Sequence, residues 1–447
     1  MKRILLLMNQ PPGCSSVQGL RYSKLLPYLE DLGWEFHFCG PSPRKCSVLI
    51  EPLRYPSERL HYSGRVLRSI EYSVCKNRQK RFSPAFLFYG ALQWVSRLVE
   101  RQLKQDPFNH MEAGLVHKAM EADRLYDFDL IAGKSPDFRM LLTAARLCRQ
   151  LGKPFLAIYD DPEGARDQGG FYPSDPELQK AVLDQSCGAI FMSPLTRERY
   201  VGCGLVADEF SYALCDSYPE PAELRRSGGH RHEIPALQDL PLGAYAPDPM
   251  RLVHLGSLPE WRPVDSFLEA LRRFRRSSPE VRLIIETYGY VYGAARSTIE
   301  ADQDLASMFR FHPGVSHDES HEVAAGCDIQ LVIIGPRHID NQPSKFFVYL
   351  GHHKPVLAIG PRGNPIEKII GRLEIGVYCD VDNAQSIFEG LSELRRDYCR
   401  YKSNFVNNHA ALASYSAPQV AQQWVRCLDD MVATVQHKDQ PGRCLSQ

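Results

Sequence analysis

Apolar and polar residues alternate along this chain in blocks that match helices and buried strands. Residues 4–8, Ile-Leu-Leu-Leu-Met, form a short apolar run that ends abruptly at the polar, proline-rich Asn9-Gln10-Pro11-Pro12-Gly13. A run of that length closed by turn residues predicts a buried strand. Residues 9–19 read as a loop. Tyr22, Leu25, Leu26 and Leu29 then recur at helical spacing until Gly33, and residues 34–39 form a second strand. A strand, loop, helix and strand in this order predict a parallel sheet, because parallel neighbours need a crossover that covers one face. The unit repeats with a strand at 129–133, a helix over 137–150, the turn Gly152-Lys153-Pro154 and a strand at 155–159. Residues 189–192 add a further short strand.

The pattern breaks over 218–249, where polar residues, prolines and glycines dominate around Gly228-Gly229-His230-Arg231-His232. This stretch reads as a linker or excursion. A second series follows. Its predicted strands are 252–255, 282–286, 309–312, 329–334, 356–359 and 377–379, with helices at 264–274, 320–325, 344–351 and 384–395. Residues 416–435 form a last amphipathic helix, expected to pack back toward the N-terminal domain, and the polar 436–447 is expected to be disordered. The fold class expected is α/β, with one Rossmann-like domain over 1–217 and another over 250–415. Their sheets would face a cleft at the carboxyl ends of the strands.

Composition narrows this picture. A length of 447 residues suits two large α/β domains. Lys plus Arg and Asp plus Glu are equal at 53 each, which argues against a protein-wide nucleic-acid footprint. Thirteen cysteines, an odd number, include no Cys-x-x-Cys pair and no zinc-like Cys/His spacing, so reduced thiols in a cytoplasmic protein are expected. The apolar run after Met1-Lys2-Arg3 is too short for a signal peptide. No apolar stretch approaches the ~20 residues that span a bilayer. One segment departs from charge balance. Between Arg59 and Lys104 ten basic residues stand against two acidic ones, interleaved with Phe82, Phe86, Phe88, Tyr89 and Trp94. Two readings stay open for it: a peripheral contact with the inner face of an anionic membrane, or a solvated helical face.

The chemistry concentrates in the second half. Gly256-Ser257-Leu258 follows a strand, and Arg262 precedes a helix. Val315 and Asp328 come next, then Asn341-Gln342-Pro343-Ser344-Lys345-Phe346-Phe347-Val348-Tyr349-Leu350-Gly351-His352-His353-Lys354-Pro355-Val356-Leu357. This ordered set resembles the donor domain of glycosyltransferase family 4, whose members have the GT-B fold. The Pro343-Ser344-Lys345 segment, with Lys354-Pro355-Val356 behind it, resembles a subgroup that builds surface polysaccharides. The likeness spans roughly residues 250–430. It is looser in the first half, through Gly19 and Arg21, Asp129-Leu130-Ile131 and Gly152-Lys153-Pro154. It implies transfer from a nucleoside-diphosphate sugar to a glycan or lipid-linked acceptor, with retention, no cofactor and no metal. The second domain would then bind the nucleotide sugar, and the first would face the acceptor.

Physical reasoning assigns roles within that resemblance. A leaving nucleoside diphosphate gains negative charge, and cations or helix N-terminal amides must meet it. In the family a basic pair after the first donor-domain strand does so. Arg262 matches its second member, whereas the first falls on the uncharged Ser257, beside Gly256. Lys345 is expected to supply the missing cation, with Ser344 as the helix cap. The family's two acidic residues fall on Asp340, expected to face the donor sugar as a catalytic residue, and on Val348, which cannot grip ribose hydroxyls. Asn341, Gln342 and Gly363 complete the expected sugar and nucleoside side, Gly363 serving equally well as an ordinary strand-to-helix turn. On the acceptor side, Gly13 and Gly19 bound the loop, and Arg21 opens the next helix, either toward an acceptor phosphate or as a surface arginine. Asp160-Asp161 ends a strand at the cleft edge, and Asp161 is the candidate base there. His317 and His321, four apart, lack a third ligand for a metal. The unlike alternatives are a catalytically silent scaffold that binds a sugar nucleotide or a partner enzyme, motivated by Ser257 and Val348, and a two-domain sugar-nucleotide epimerase.

Overall fold

The computed structural model describes residues 1–10, 12, 17–41, 59–63, 108–135, 137–160, 164–167, 170–173, 175–219 and 245–438. Gly13, Asp161, most of the basic aromatic segment and the bulk of the 218–249 stretch lie outside these residues.

The N-terminal strands are β1 (Lys2–Leu7), β2 (Trp34–Pro41), β3 (Leu60–Ser63), β4 (Leu130–Lys134) and β5 (Phe155–Tyr159). A small antiparallel hairpin, β6 (Gly164–Asp167) and β7 (Gly170–Pro173), follows, then β8 (Gly188–Phe191) and β9 (Ser211–Ala213). Seven of them build one parallel sheet in the order β3-β2-β1-β4-β5-β8-β9. β1 is central, with Ile4 in register with Phe36 on one side and Leu130 on the other. Because successive strand residues point to opposite faces, β1 feeds two cores. Leu5 and Leu7 pack with the Phe108–Tyr126 and Phe138–Leu151 helices. Ile4, Leu6 and Met8 pack with the Val17–Asp31 helix and with the last helix of the chain, Ala417–Lys438. Trp424 of that last helix is 0% exposed and meets Tyr22 and Phe36 edge-on, at ring centroid distances of 5.8 and 6.4 Å.

The second sheet contains β10 (Met250–Leu255), β11 (Leu283–Tyr288), β12 (Phe309–His312), β13 (Ile329–Ile333), β14 (Val356–Gly360) and β15 (Gly376–Asp380). Its order is β12-β11-β10-β13-β14-β15, all parallel, the winding of a nucleotide-binding α/β sheet. Two separate clusters cover its faces. The α/β class with two doubly wound sheets is thus the one the hydrophobic pattern predicts. Where the chain passes between the sheets, its two passages are zipped together. Tyr218 N–H donates to the Tyr415 carbonyl at 3.0 Å, and Ala417 N–H donates to the Tyr218 carbonyl at 3.1 Å.

Several boundaries differ from the sequence expectation, each for a local reason. The first helix begins at Val17, so Gly19 lies in its first turn rather than in the loop, and its carbonyl accepts from Ser23 Oγ. The 317–325 helix starts three residues earlier than its apolar spacing suggests, because Ser316 and Glu319 form a capping box. The last helix continues to Lys438, so residues 436–438 of the expected disordered tail are helical.

Replacing Trp424 with Ala empties the space between the last helix and the first sheet. Chemical denaturation should show the N-terminal domain destabilised by about 3–5 kcal/mol, and a loss under 1 kcal/mol would place that helix outside the core.

Candidate functional site

In the second sheet the winding reverses between β10 and β13. The loops after their carboxyl ends diverge there and leave a crevice. After β10 the chain turns through Gly256, at φ +97°, into Ser257, and both are exposed. Gly256 N–H donates to the Tyr288 carbonyl at 2.8 Å. Next to it, Gly289 has φ +140°, and a side-chain carbon on it would stand 2.8 Å from the Gly256 carbonyl carbon. Two glycines in conformations that other residues rarely adopt therefore bring two strand ends into contact. After β13, Gly335 permits a second close approach, since a side-chain carbon there would lie 2.4 Å from the Trp261 carbonyl oxygen. The 257–262 loop is thereby pressed against the end of β13.

Two cations flank this turn. Arg262 donates to the Ser257 carbonyl at 3.3 Å, and its guanidinium lies over the half-exposed Trp261 ring, 4.6 Å from the centroid. Lys345 is the second residue of the Ser344–Leu350 helix. Its Nζ stands 3.1 Å from His254 Nε2 and 3.3 Å from the point where a side chain on Gly256 would begin. Among the described residues no carboxylate pairs with Lys345. Burial, reinforced by the charge on Arg262, holds its pKa well below the usual lysine value. The structure thus brings Gly256, Ser257, Arg262 and Lys345 together.

Across the crevice, the 338–341 turn carries Asp340, which is 3% exposed, and the partly exposed Asn341. The turn is held by Asn364, a fully buried residue that sequence reasoning passed over. Its Nδ2 donates to the carbonyls of Ile339 and Asn341, each at 2.9 Å, while its Oδ1 caps the next helix by accepting from Ile366 N–H. The signal was present, since asparagine before a first-turn proline is a preferred helix start. Gly363 precedes it with φ +83° and donates its N–H to Glu367 Oε2. Gln342 and Val348 are both partly buried.

The acceptor-side expectations are corrected. Arg21 is the fifth residue of its helix, not the first, and is 8% exposed. Its Nη1 lies 2.5 Å from Asp160 and its Nε 3.2 Å from Asp216. Lys134 also pairs with Asp160, and Lys24 Nζ lies 2.7 Å from Asp216 Oδ1. Arg21 is therefore engaged by two carboxylates rather than being a surface arginine, and Asp160 is clamped between two cations, while the candidate base Asp161 lies outside the described residues. Burial alone would raise the Asp216 pKa, but Lys24 and Arg21 outweigh it and bring the group to about 2. Ser344 is not a cap. Pro343 occupies that position without a side-chain bond, and Ser344 is the first helical residue. Its hydroxyl accepts from Arg21 Nη2 at 3.2 Å, a contact between the two sheets' domains. Sequence could not reveal this, because the partners come from segments far apart in the chain. Arg59, the first cation of the expected membrane-facing stretch, pairs with Glu30 and Glu35.

Beside this junction His317, His321 and His352 form a chain. His321 Nδ1 is 3.0 Å from His352 Nε2, and His321 Nε2 is 3.2 Å from His317 Nε2. Burial, with the neighbouring imidazoles adding to it, lowers His321 to about 2 and His352, with Lys354 and His353 contributing, to about 4. Among the described residues, no three His, Cys, Asp or Glu side chains converge to hold a metal ion, and no helix is long and apolar enough to cross a membrane.

No protein-family model matches the chain, and no curated protein matches it. Solved structures do match over nearly the whole length. A glycosyltransferase from Rickettsia africae superposes with a TM-score of 0.61 at 10% identity, covering 96% of this chain and 98% of that one. Sucrose-phosphate synthase from Thermosynechococcus elongatus gives 0.61 at 12%, covering 97% and 100%. Anabaena HepE in complex with UDP-glucose gives 0.56 at 12%, covering 96% and 100%. At these identities the likeness establishes the fold: two doubly wound domains of the GT-B type.

The histidine chain has a consequence for pH. The folded-state values of His321 and His352 lie below the unfolded value near 6.5. Their contribution to stability is therefore complete above about pH 6.5 and is lost as pH falls toward about 4. The melting temperature should already decline between about pH 6.5 and 5, above the carboxylate range. A flat profile there would contradict a neutral, buried chain.

Proposed function

We propose that this protein is a glycosyltransferase that moves a sugar from a nucleoside-diphosphate sugar to a glycan or lipid-linked acceptor. The observation that carries the reading is the pair Lys345 and Arg262 at the Gly256 turn. A partly buried lysine that pairs with no carboxylate among the described residues, next to a second cation and an open glycine turn, is an arrangement that gains most from an incoming anion. Its place at the winding reversal is where α/β sheets bind nucleotides. A diphosphate seated there would have both cations at the oxygen that gains charge when the glycosidic bond breaks, so the same contacts serve binding and bond cleavage. Asp340, on the turn fixed by Asn364, is the carboxylate that the resemblance assigns to the donor sugar. Retention, independence of metal, membership of family 4, surface-polysaccharide assembly and a cytoplasmic site of action follow from the resemblance alone.

The test is titration of UDP into the wild-type protein and into the Arg262→Ala and Lys345→Met variants. Each variant should bind more weakly by about 1.5–3 kcal/mol, the range for a hydrogen bond to a charged group. Unchanged affinity in both folded variants would remove the diphosphate from this turn.

A second reading, a silent scaffold that binds the nucleotide without transfer, is favoured by Val348, where the resemblance implies a ribose-gripping carboxylate. Val348→Glu discriminates. If the ribose lies over this helix, the variant should bind UDP at least about tenfold more tightly, one charged hydrogen bond being worth ~1.5–3 kcal/mol. Weaker binding in a variant that melts like wild type would show that the ribose lies elsewhere. A lowered melting temperature without tighter binding would signal a carboxylate buried without a partner, and would favour the scaffold.

A further inference from the structure

His254 is the fifth residue of β10 and is completely buried. A buried imidazole needs partners for both ring nitrogens. Its Nδ1 lies 3.1 Å from the Leu331 carbonyl, which can only accept, so Nδ1 carries the hydrogen. Burial, together with the charges of Lys345 and Arg262, holds the ring's pKa well below the usual histidine value, so the ring is neutral and Nε2 presents a lone pair. Lys345 Nζ stands 3.1 Å from that lone pair.

We infer that His254 is a positioning residue for the diphosphate site, holding Lys345 Nζ against the Gly256 turn through the neutral Nε2 lone pair. The inference rests on the reading of that turn as the place where a diphosphate binds. Its logic lies in what the partner is not. A carboxylate would hold the lysine equally well but would cancel its charge, as Asp160 and Asp216 do for Arg21. An imidazole fixes one hydrogen of the ammonium and leaves the charge and the other hydrogens to the ligand. The flexible four-carbon stem of lysine would otherwise have to be ordered when the ligand arrives.

The arrangement also couples binding to a proton. The groups facing Lys345 are His254 on β10 and Arg262 on the following loop, with Arg21 and Asp216 reached through the adjacent Ser344 hydroxyl. Since Lys345 sits well below the usual lysine range, an arriving diphosphate raises its pKa and the site takes up a proton. Affinity should therefore fall as pH rises above about 7, where the diphosphate itself is fully ionised.

Calorimetric titration of UDP tests this in the full-length wild type, His254→Phe, His254→Gln, Lys345→Met and the His254→Phe/Lys345→Met double variant, with a melting curve for each. His254→Phe should weaken binding about tenfold, and His254→Gln, which keeps an acceptor oxygen, should recover most of it. The double variant should bind no more weakly than Lys345→Met alone. Between about pH 7 and 9 the wild type should lose affinity and Lys345→Met should not. Wild-type affinity in a folded His254→Phe, or additive losses in the double variant, would overturn the role of His254 while leaving the diphosphate site standing. If His254→Phe does not fold, His254→Gln decides: near-wild-type affinity upholds the acceptor role, and a loss of about tenfold overturns it. No binding of UDP by the wild type would take down the nucleotide reading itself, and this inference with it.

Discussion

A partly buried ammonium group held beside a guanidinium and a neutral imidazole, and paired with no carboxylate among the described residues, is the constraint around which the second domain is arranged. Withdrawing such a charge from water without a counter-charge is costly. Such a cost persists in a fold only where the surrounding structure enforces it, and here the enforcement is visible. Gly256 and Gly289 bring two strand ends together at positive φ, Gly335 lets the Trp261 loop close on β13, and Asn364 pins the turn that bears Asp340. Each device is a backbone or amide arrangement that adds no negative charge beside Lys345.

The opposite bank of the cleft solves the same electrostatic problem in the opposite way. Arg21, Lys24 and Lys134 are buried, and each pairs with Asp160 or Asp216 within the first domain, so three cations share two carboxylates. A paired cluster of this kind fixes geometry. It reaches across through the Ser344 hydroxyl, on the residue next to Lys345, which accepts from Arg21 and bonds Asp216. The two domains are therefore joined at the start of the helix that carries Lys345, and the cleft is asymmetric, its cations paired with carboxylates on one side and with an imidazole on the other.

How far the sequence could be read follows from the range of the forces involved. Strand positions and the doubly wound class were legible because they depend on local periodicity: the alternation within residues 4–8 places Ile4 and Leu5 on opposite faces whatever the rest of the chain does. Gly256, Arg262 and Lys345 were singled out through the family resemblance, and the fold brings them to one turn. Arg21 was misplaced because its surroundings are set by partners brought in by the fold, Asp160 and Asp216, and no spacing rule connects those segments. Ser344 was misread for a subtler reason. A serine before an apolar helix usually caps it, but the preceding Pro343 takes the cap position, and the freed hydroxyl answers the cluster of the other domain.

His254 shows where such reading stops altogether. In the sequence it is one polar residue in the apolar strand Leu252-Val253-His254-Leu255, and it carries no motif. Its meaning depends on a tautomer, which depends on the Leu331 carbonyl in the neighbouring strand β13, far away in sequence. A tyrosine in its place could accept a hydrogen bond, yet the same hydroxyl oxygen also carries a donor that would compete for the same direction. A neutral imidazole with its donor already spent on a backbone carbonyl is restricted to accepting at the other nitrogen. That restriction makes the partner of Lys345 an acceptor without charge, and so keeps the positive charge at the Gly256 turn directed outward, into the crevice between β10 and β13.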